Sequence, residues 1–230
     1  MITIEYARIK TGSLVAHTDC LRILNKTFRR AGYFVNYSNG MGKHVNIKMT
    51  QPLPFGILSS KEYVTADLEV ENLEEFLLKF NAAIPPFLKA KVVYSIEKNP
   101  NLSALIIASK YFIKTTKAKM FEKELKEYLN KFEIETKKDE KLVIKDVSNL
   151  IYDFVVTDDG IFITCSFGAN NLRIDNVVNT LNSKFNLDID YIDVERIDQL
   201  INTSKDNKLE LISVDSFLET IKTNKYVIEE

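Results

Sequence analysis

The sequence predicts an α+β fold of two units, each running strand, helix, strand, strand, helix, strand. Three observations carry this reading. Apolar and polar residues alternate with period two in several short runs, apolar residues recur at spacings of three and four in the stretches between them, and Asp159-Gly160 sits between two apolar runs as a hairpin signal.

Ile2, Ile4 and Tyr6 alternate with Thr3 and Glu5, so the first strand is expected over about 2 to 10. From Thr18 onward, Leu21, Leu24, Phe28 and Ala31 mark one apolar helix face, and Gly32 supplies a stop. Val45, Ile47 and Met49 form the next alternating run, and Val64, Ala66, Leu68 and Val70 form another. Asn72 with Glu75 three positions later resembles a capping box ahead of Leu73, Phe76, Leu77 and Phe80, a helix that must stop before Pro85-Pro86. Leu88, Ala90, Val92, Tyr94 and Ile96 alternate as the closing strand. The resulting order, β-α-β-β-α-β, is that of a ferredoxin-like unit.

The second half repeats the scheme. Phe112 and its neighbours open a strand, and Phe121, Leu125, Tyr128, Leu129 and Phe132 mark a helix. Residues 133 to 146 read as a charged ribbon. Residues 151–157 and 161–167 flank Asp159-Gly160 as a hairpin. Ile174, Val177, Val178, Leu181 and Phe185 give another helical face, and Ile189, Tyr191 and Val194 a closing strand. Two ferredoxin-like units in tandem are therefore expected: residues 1–100, residues 108–202, and a polar extension over 203–230 with a short helix after Asp215. Asn99-Pro100-Asn101 interrupts the pattern at the boundary.

The 230 residues are 45% hydrophobic, which excludes a disordered or fibrous chain. No apolar run reaches the roughly 18 residues of a membrane span, and the first residues lack the pattern of a signal peptide, so a cytoplasmic protein with no membrane partner is expected. Cys20 and Cys165 are too few for a disulfide scaffold. Charge is uneven. Residues 1 to 60 hold eight Lys and Arg against Glu5 and Asp19, a balance of +6, which leaves −7 for the rest of a chain whose net charge is −1. A local basic patch of this kind suits an anionic partner such as phosphate, RNA or an acidic protein surface.

The first helix supplies the candidate binding face. Arg22, Lys26, Arg29 and Arg30 fall at i, i+4, i+7 and i+8, with Tyr33 just beyond, and such a stripe binds phosphates or is simply a solvated face. The loop Tyr37-Ser38-Asn39-Gly40-Met41-Gly42-Lys43-His44 combines two glycines with cationic and hydroxyl groups, a composition shared by anion nests and plain turns. His17 and Asp19 open the helix. Asp19 suits a helix N-terminus without any catalytic role, whereas His17 has the titration range of an acid, base or ligand. His17, Cys20 and His44 have no recognised metal-ligand spacing, and no metal or cofactor is expected.

Residues 8 to 69 resemble a known family. Gly12-Ser13-Leu14, His17-Thr18-Asp19, Arg22, Arg29-Arg30-Ala31-Gly32, Tyr37-Ser38-Asn39-Gly40, Pro52-Leu53-Pro54-Phe55-Gly56, Ser60 and Glu62-Tyr63 appear in the order and spacing of the radical SAM-linked protein family, a bacterial domain of unknown function. Gly168 to Arg173 before an apolar helix resembles that family's C-terminal part, so the resemblance extends to about residue 200. It departs after Gly40, where Met41-Gly42-Lys43-His44 replaces the usual aromatic-Asn-Pro. The resemblance adds Ser60 and Glu62 to the candidate ligand-binding residues and implies a separate radical SAM partner. The chain itself is not a radical SAM enzyme, because Cys20 and Cys165 cannot form a three-cysteine cluster motif.

The leading expectation is an accessory or binding protein that presents Arg22, Lys26, Arg29, Arg30, Tyr37, Ser38, Asn39, Gly40, Lys43 and His44 to RNA or another phosphorylated ligand. One alternative is an enzyme of phosphate-ester or RNA-processing chemistry with His17 as general acid or base and Asp19 orienting it. The other is a structural subunit docking on an acidic protein.

Overall fold

In a computed structural model, which describes residues 1–37, 44–138, 141–204, 209–221 and 223–228, the first strand β1 (Ile2–Arg8) is buried along its whole length. Ile2, Ile4 and Tyr6 face α1 (His17–Arg30) and its core of Cys20, Leu24 and Phe28, as the alternation predicts. Thr3 and Glu5, which the same pattern assigns to solvent, are buried too, because later chain covers the other face. The first half continues with β2 (Ile47–Met49), β3 (Leu58–Ala66), α2 (Leu73–Ala83) and β4 (Leu88–Ser95). Asn72 caps α2 by accepting from the Glu75 amide at 3.0 Å. The strand expected over 64–70 starts earlier and ends at Ala66, and β2 keeps only three residues.

A short helix α3 (Leu102–Leu105) leads into β5 (Ile106–Lys114), α4 (Glu122–Tyr128) and the separate two-stranded ribbon β6 (Glu133–Lys138) and β7 (Lys141–Asp146). Then come β8 (Ile151–Val156), β9 (Gly160–Ser166), α5 (Ile174–Phe185) and β10 (Val194–Asn202). The closing strand thus begins at Val194. Tyr191 lies in a 3-10 turn before it, and Ile189 packs in the core. Gly160 is set by close approach: a Cβ there would lie 2.1 Å from the Ile113 carbonyl oxygen across the β5–β9 pairing.

The chain ends with β11 (Leu211–Ser213), α6 (Val214–Thr220) and β12 (Asn224–Val227). Helix α6 contains Asp215, where the sequence places a short helix. Strand β12 pairs with β4, so residues 224–227 return to the first half.

Among the described residues the fold is mixed α+β, with six α-helices and a large, mostly antiparallel sheet. Ten strands run in the order β12-β4-β1-β3-β10-β5-β9-β8, with β2 beside β3 and β11 beside β10. Strand β3 carries β2 along its C-terminal part and β10 along its first residues, where Glu195 faces Leu58 and Arg196 faces Ser59 in a parallel pairing. That short pairing makes the two halves one sheet. The boundary expected near 98–110 falls on α3 and the start of β5. There Leu102 and Ile106 are buried with Tyr63 and Tyr94 of the first half and Val214 and Leu218 of α6. On the helix side, Leu53 and Ile57 pack into the core of the second half.

Gly12 shows how closely the segments between elements fit. A Cβ there would lie 2.5 Å from the Phe87 carbonyl oxygen, and the Gly12 carbonyl accepts from the buried Arg8 guanidinium at 2.9 and 3.2 Å. Neither backbone can give way cheaply. Gly12→Ala should cost about 1–3 kcal/mol and lower the melting temperature by roughly 2–12 °C. A thermal melt within a degree of wild type would show that the close approach is relaxed in solution.

Candidate functional site

The cations of α1 divide into two sets. One turn holds 3.6 residues, so Arg22, Asn25 and Arg29 lie within about 60° of one another, whereas Lys26 and Arg30 turn progressively away. Arg22, Asn25 and Arg29 line a cleft of about 310 Å³ with Leu21, Tyr37 and His44. The Arg29 guanidinium donates to the Tyr37 hydroxyl at 3.4 Å. Past Arg29, a second cleft of about 270 Å³ continues along the helix between Asn25, Phe28, Tyr33, Phe34 and Val35. Two large aromatics stand open on this path, Tyr37 at 53% and Phe34 at 77% exposure. Tyr37 bridges to Val45, bringing the two ends of the expected loop together.

Lys26 and Arg30 are exposed on the same helix but line neither cleft, and Arg30 donates to the Thr27 hydroxyl. Ser38, Asn39, Gly40 and Lys43 lie outside the described residues. Asp19 accepts from Arg22 at 2.9 Å, an exposed pair one helical turn deep. Such pairs contribute little to stability and leave Arg22 accessible.

His17 lies elsewhere, half-buried at the first turn of α1. Burial pulls its imidazole below the ordinary value, Glu62 pulls it up, and Arg8 and Arg196 push it down. Glu62 is the carboxylate that pulls His17 upward, while Asp19 pairs with Arg22. Glu62 itself is paired: Arg196 Nε and Nη2 donate to its Oε1 and Oε2 at 2.9 and 2.6 Å, with both side chains out of solvent. Arg196 Nη2 also donates to the Gln51 carbonyl, and the Ser59 and Ser60 hydroxyls donate to the Arg196 carbonyl at 3.2 and 3.5 Å. Ser60 and Glu62 thus belong to the seam between the halves, away from the α1 clefts.

Cys20 is buried against the Tyr6 hydroxyl at 3.7 Å, and burial pushes its thiol up, away from the reactive thiolate. Among the described residues no group of three or more His, Cys, Asp or Glu is arranged to hold a metal ion. No helix among them is long and apolar enough to cross a membrane.

Arg8 and Arg196 were not among the residues singled out from sequence. A signal for the pair existed: Glu62 shares strand parity with Val64 and Ala66, and Arg196 with Val194, so two opposite charges occupy core-facing positions.

The groove and the seam both fall within residues 1–170 apart from Arg196, and those residues match the model of a family described as an uncharacterised protein conserved in bacteria (DUF2344). The chain belongs to this family. No curated protein matches this DUF2344 chain. The match extends through β9 and stops before α5 and β10, so the partner of Glu62 lies beyond it.

Proposed function

We propose that this protein is an accessory or binding protein whose α1 groove takes a phosphorylated chain, RNA foremost, and that it acts beside a radical SAM partner. The observation that carries the reading is the lining of the groove: Arg22 and Arg29 about two helical turns apart, His44 in the same lining, and Tyr37 and Phe34 exposed along the path. Cations that follow a backbone, interleaved with aromatic faces on which bases stack, are the two components of sequence-tolerant single-strand binding. The radical SAM partner rests on the sequence resemblance alone. The ferredoxin-like reading of each half is supported by matching strand orders, β4-β1-β3-β2 and β10-β5-β9-β8, with the β6–β7 ribbon inserted in the second.

Fluorescence anisotropy of a labelled single-stranded RNA against salt tests the groove. Each neutralised phosphate on a single strand contributes a slope of about −0.7 in log K against log salt. Arg22→Gln with Arg29→Gln should therefore flatten the slope by about 1.4 if both cations touch phosphate. The melting temperature should stay within a degree or so, since both side chains are exposed. An unchanged slope would move the binding face elsewhere.

The enzyme reading retains one specific support. His17 is half-buried, electrostatically coupled to Glu62, and shifted toward its neutral form, the form a general base needs at neutral pH. Phosphate-ester turnover lost in His17→Ala, with binding intact, would favour it over the accessory role.

A further inference from the structure

A separate cavity of about 380 Å³ opens on the seam itself, between the loop after β2 and the segment joining β9 to α5. Its volume is within the roughly 300–1,000 Å³ range of small-ligand sites, and its walls have the expected mix of apolar rings and a few polar groups. Pro54, Tyr111 and Phe167 contribute apolar surface, while Gln51, Asn171 and Arg173 contribute polar groups.

The charges in this cavity are already balanced. Arg173 donates through Nε and Nη2 to both oxygens of Asp175, at 3.0 and 2.5 Å, which leaves its Nη1 uncommitted to that pair. Arg196 lies just behind the lining: it donates to the Gln51 carbonyl, its guanidinium stands 5.9 Å from the centre of the Phe167 ring, and Tyr111 is its partner across β5 and β10. Its charge is spent on Glu62, yet its buried Nη1 has no hydrogen-bond partner among the described residues. With both guanidiniums neutralised, a multiply charged anion gains little here. A neutral, flat ring with acceptor atoms on its edge gains both the aromatic contact and the hydrogen bonds.

We propose that this cavity binds a purine base, packed on the Phe167 side, with Asn171 and Arg173 reading the polar edge and Arg196 holding Gln51 and Phe167 in place. Asn is the side chain that pairs bidentately with adenine and Arg the one that pairs with guanine, and both stand at the rim. The site is distinct from the α1 groove and does not depend on it.

The test uses the full chain with adenosine, guanosine, uridine and cytidine, and with short adenine-rich and uridine-rich oligonucleotides, read by calorimetry and thermal shift. A purine nucleoside at about tenfold its Kd should raise the melting temperature by roughly 3–6 °C. Pyrimidine nucleosides should bind at least about tenfold more weakly, and Asn171→Ala and Arg173→Ala should each weaken purine binding by about tenfold. Both positions are exposed, so the unliganded variants should melt like wild type. Binding of the free nucleoside assigns the base to a small metabolite. Binding of the adenine-rich oligonucleotide alone, lost in both variants but retained in Arg22→Gln with Arg29→Gln, assigns it to a base of RNA. The absence of purine binding in either form, or purine binding untouched by both rim substitutions, overturns the proposal while leaving the salt-slope test of the groove intact.

Discussion

Glu62→Ala is expected to lower the melting temperature by about 6–20 °C. Glu62 and Arg196 are the only opposite charges at 3% and 0% side-chain exposure among the described ion pairs, and they hold β3 to β10 where the halves meet. A buried pair of this kind adds little over an apolar pair of the same shape, because desolvation offsets attraction. Removing one partner is different. Arg196 would remain buried with its charge unanswered, a loss of about 3–5 kcal/mol, and each kcal/mol shifts the midpoint of a chain this size by roughly 2–4 °C. Pairing Glu62→Leu with Arg196→Met should recover most of the loss. Circular-dichroism melts of the three variants make the comparison. If Glu62→Ala costs no more than a degree or two, the seam is wet in solution and the pair is not what joins the halves.

Stability should fall as pH rises from 6.5 to 8, by about 2 kcal/mol, or roughly 4–8 °C in melting temperature. The cause is a carboxyl pair on the face of the sheet opposite α1. Burial, then the hydrogen bond and charge of Asp215, pushes Glu5 up to about 8. Asp215 is held below the ordinary carboxylate range, against the effect of its own burial, by hydrogen bonds from Glu5, Lys61 and Tyr63. The Tyr63 and Tyr94 hydroxyls donate to it at 2.6 and 3.2 Å, and Lys61 also forms an ion pair with it. So Asp215 carries the charge and Glu5 the proton.

Because the folded value of Glu5 lies above its unfolded 4.5, the stabilisation is complete below 4.5 and is lost as pH climbs through 8. Lys61 and Lys91 facing Glu5 reduce the effect without reversing it. Burial raises Asp198 as it raises Glu5, and the depressed His17 works in the opposite direction, so the part of the slope that belongs to Glu5 is the part that Glu5→Gln removes. Glu5→Gln keeps a donor for Asp215 and should flatten the profile between 6.5 and 8. A wild-type profile that rises across this window, or an identical slope in Glu5→Gln, would contradict the shared proton. Since Asp215 opens α6, the same titration should loosen the C-terminal return, visible as lower amide-exchange protection factors in α6 and β12 above pH 8 than below it.

Local pattern revealed the elements, and long-range pairing decided what they meant. The apolar stripe of α1, the Asn72 cap of α2 and the β8–β9 hairpin all follow from spacing within a dozen residues, and each is present. Glu5 was legible as a strand residue but not as a buried one, because its cover comes from α6, more than 200 positions along the chain. Ser59 and Arg196 pair across 137 positions with no repeat or turn to announce it. Asp159-Gly160 marks the hairpin in the sequence, yet Gly160 itself is set by the Ile113 carbonyl on the next strand rather than by a positive φ. In the candidate groove, the i, i+7 spacing of Arg22 and Arg29 was sufficient to place them together. The inclusion of His44 and the exposure of Phe34 depended on how the chain after Gly32 folds back, which has no periodic signature. Ser60 and Glu62 came from a resemblance whose residue pattern contains no information on which side of the sheet each faces.

The most direct test of the central claim is purification of the full chain from cells at low salt, with nucleic acid and phosphorylated metabolites measured in the eluate. Wild type and Arg22→Gln with Arg29→Gln are compared, each alone and with a radical SAM partner coexpressed. Wild type is expected to retain RNA or another phosphorylated ligand that salt releases, and the double variant to lose it while still folding. Retention of nothing by wild type under both conditions, or equal retention by the variant, would contradict a phosphate-binding role for the α1 groove.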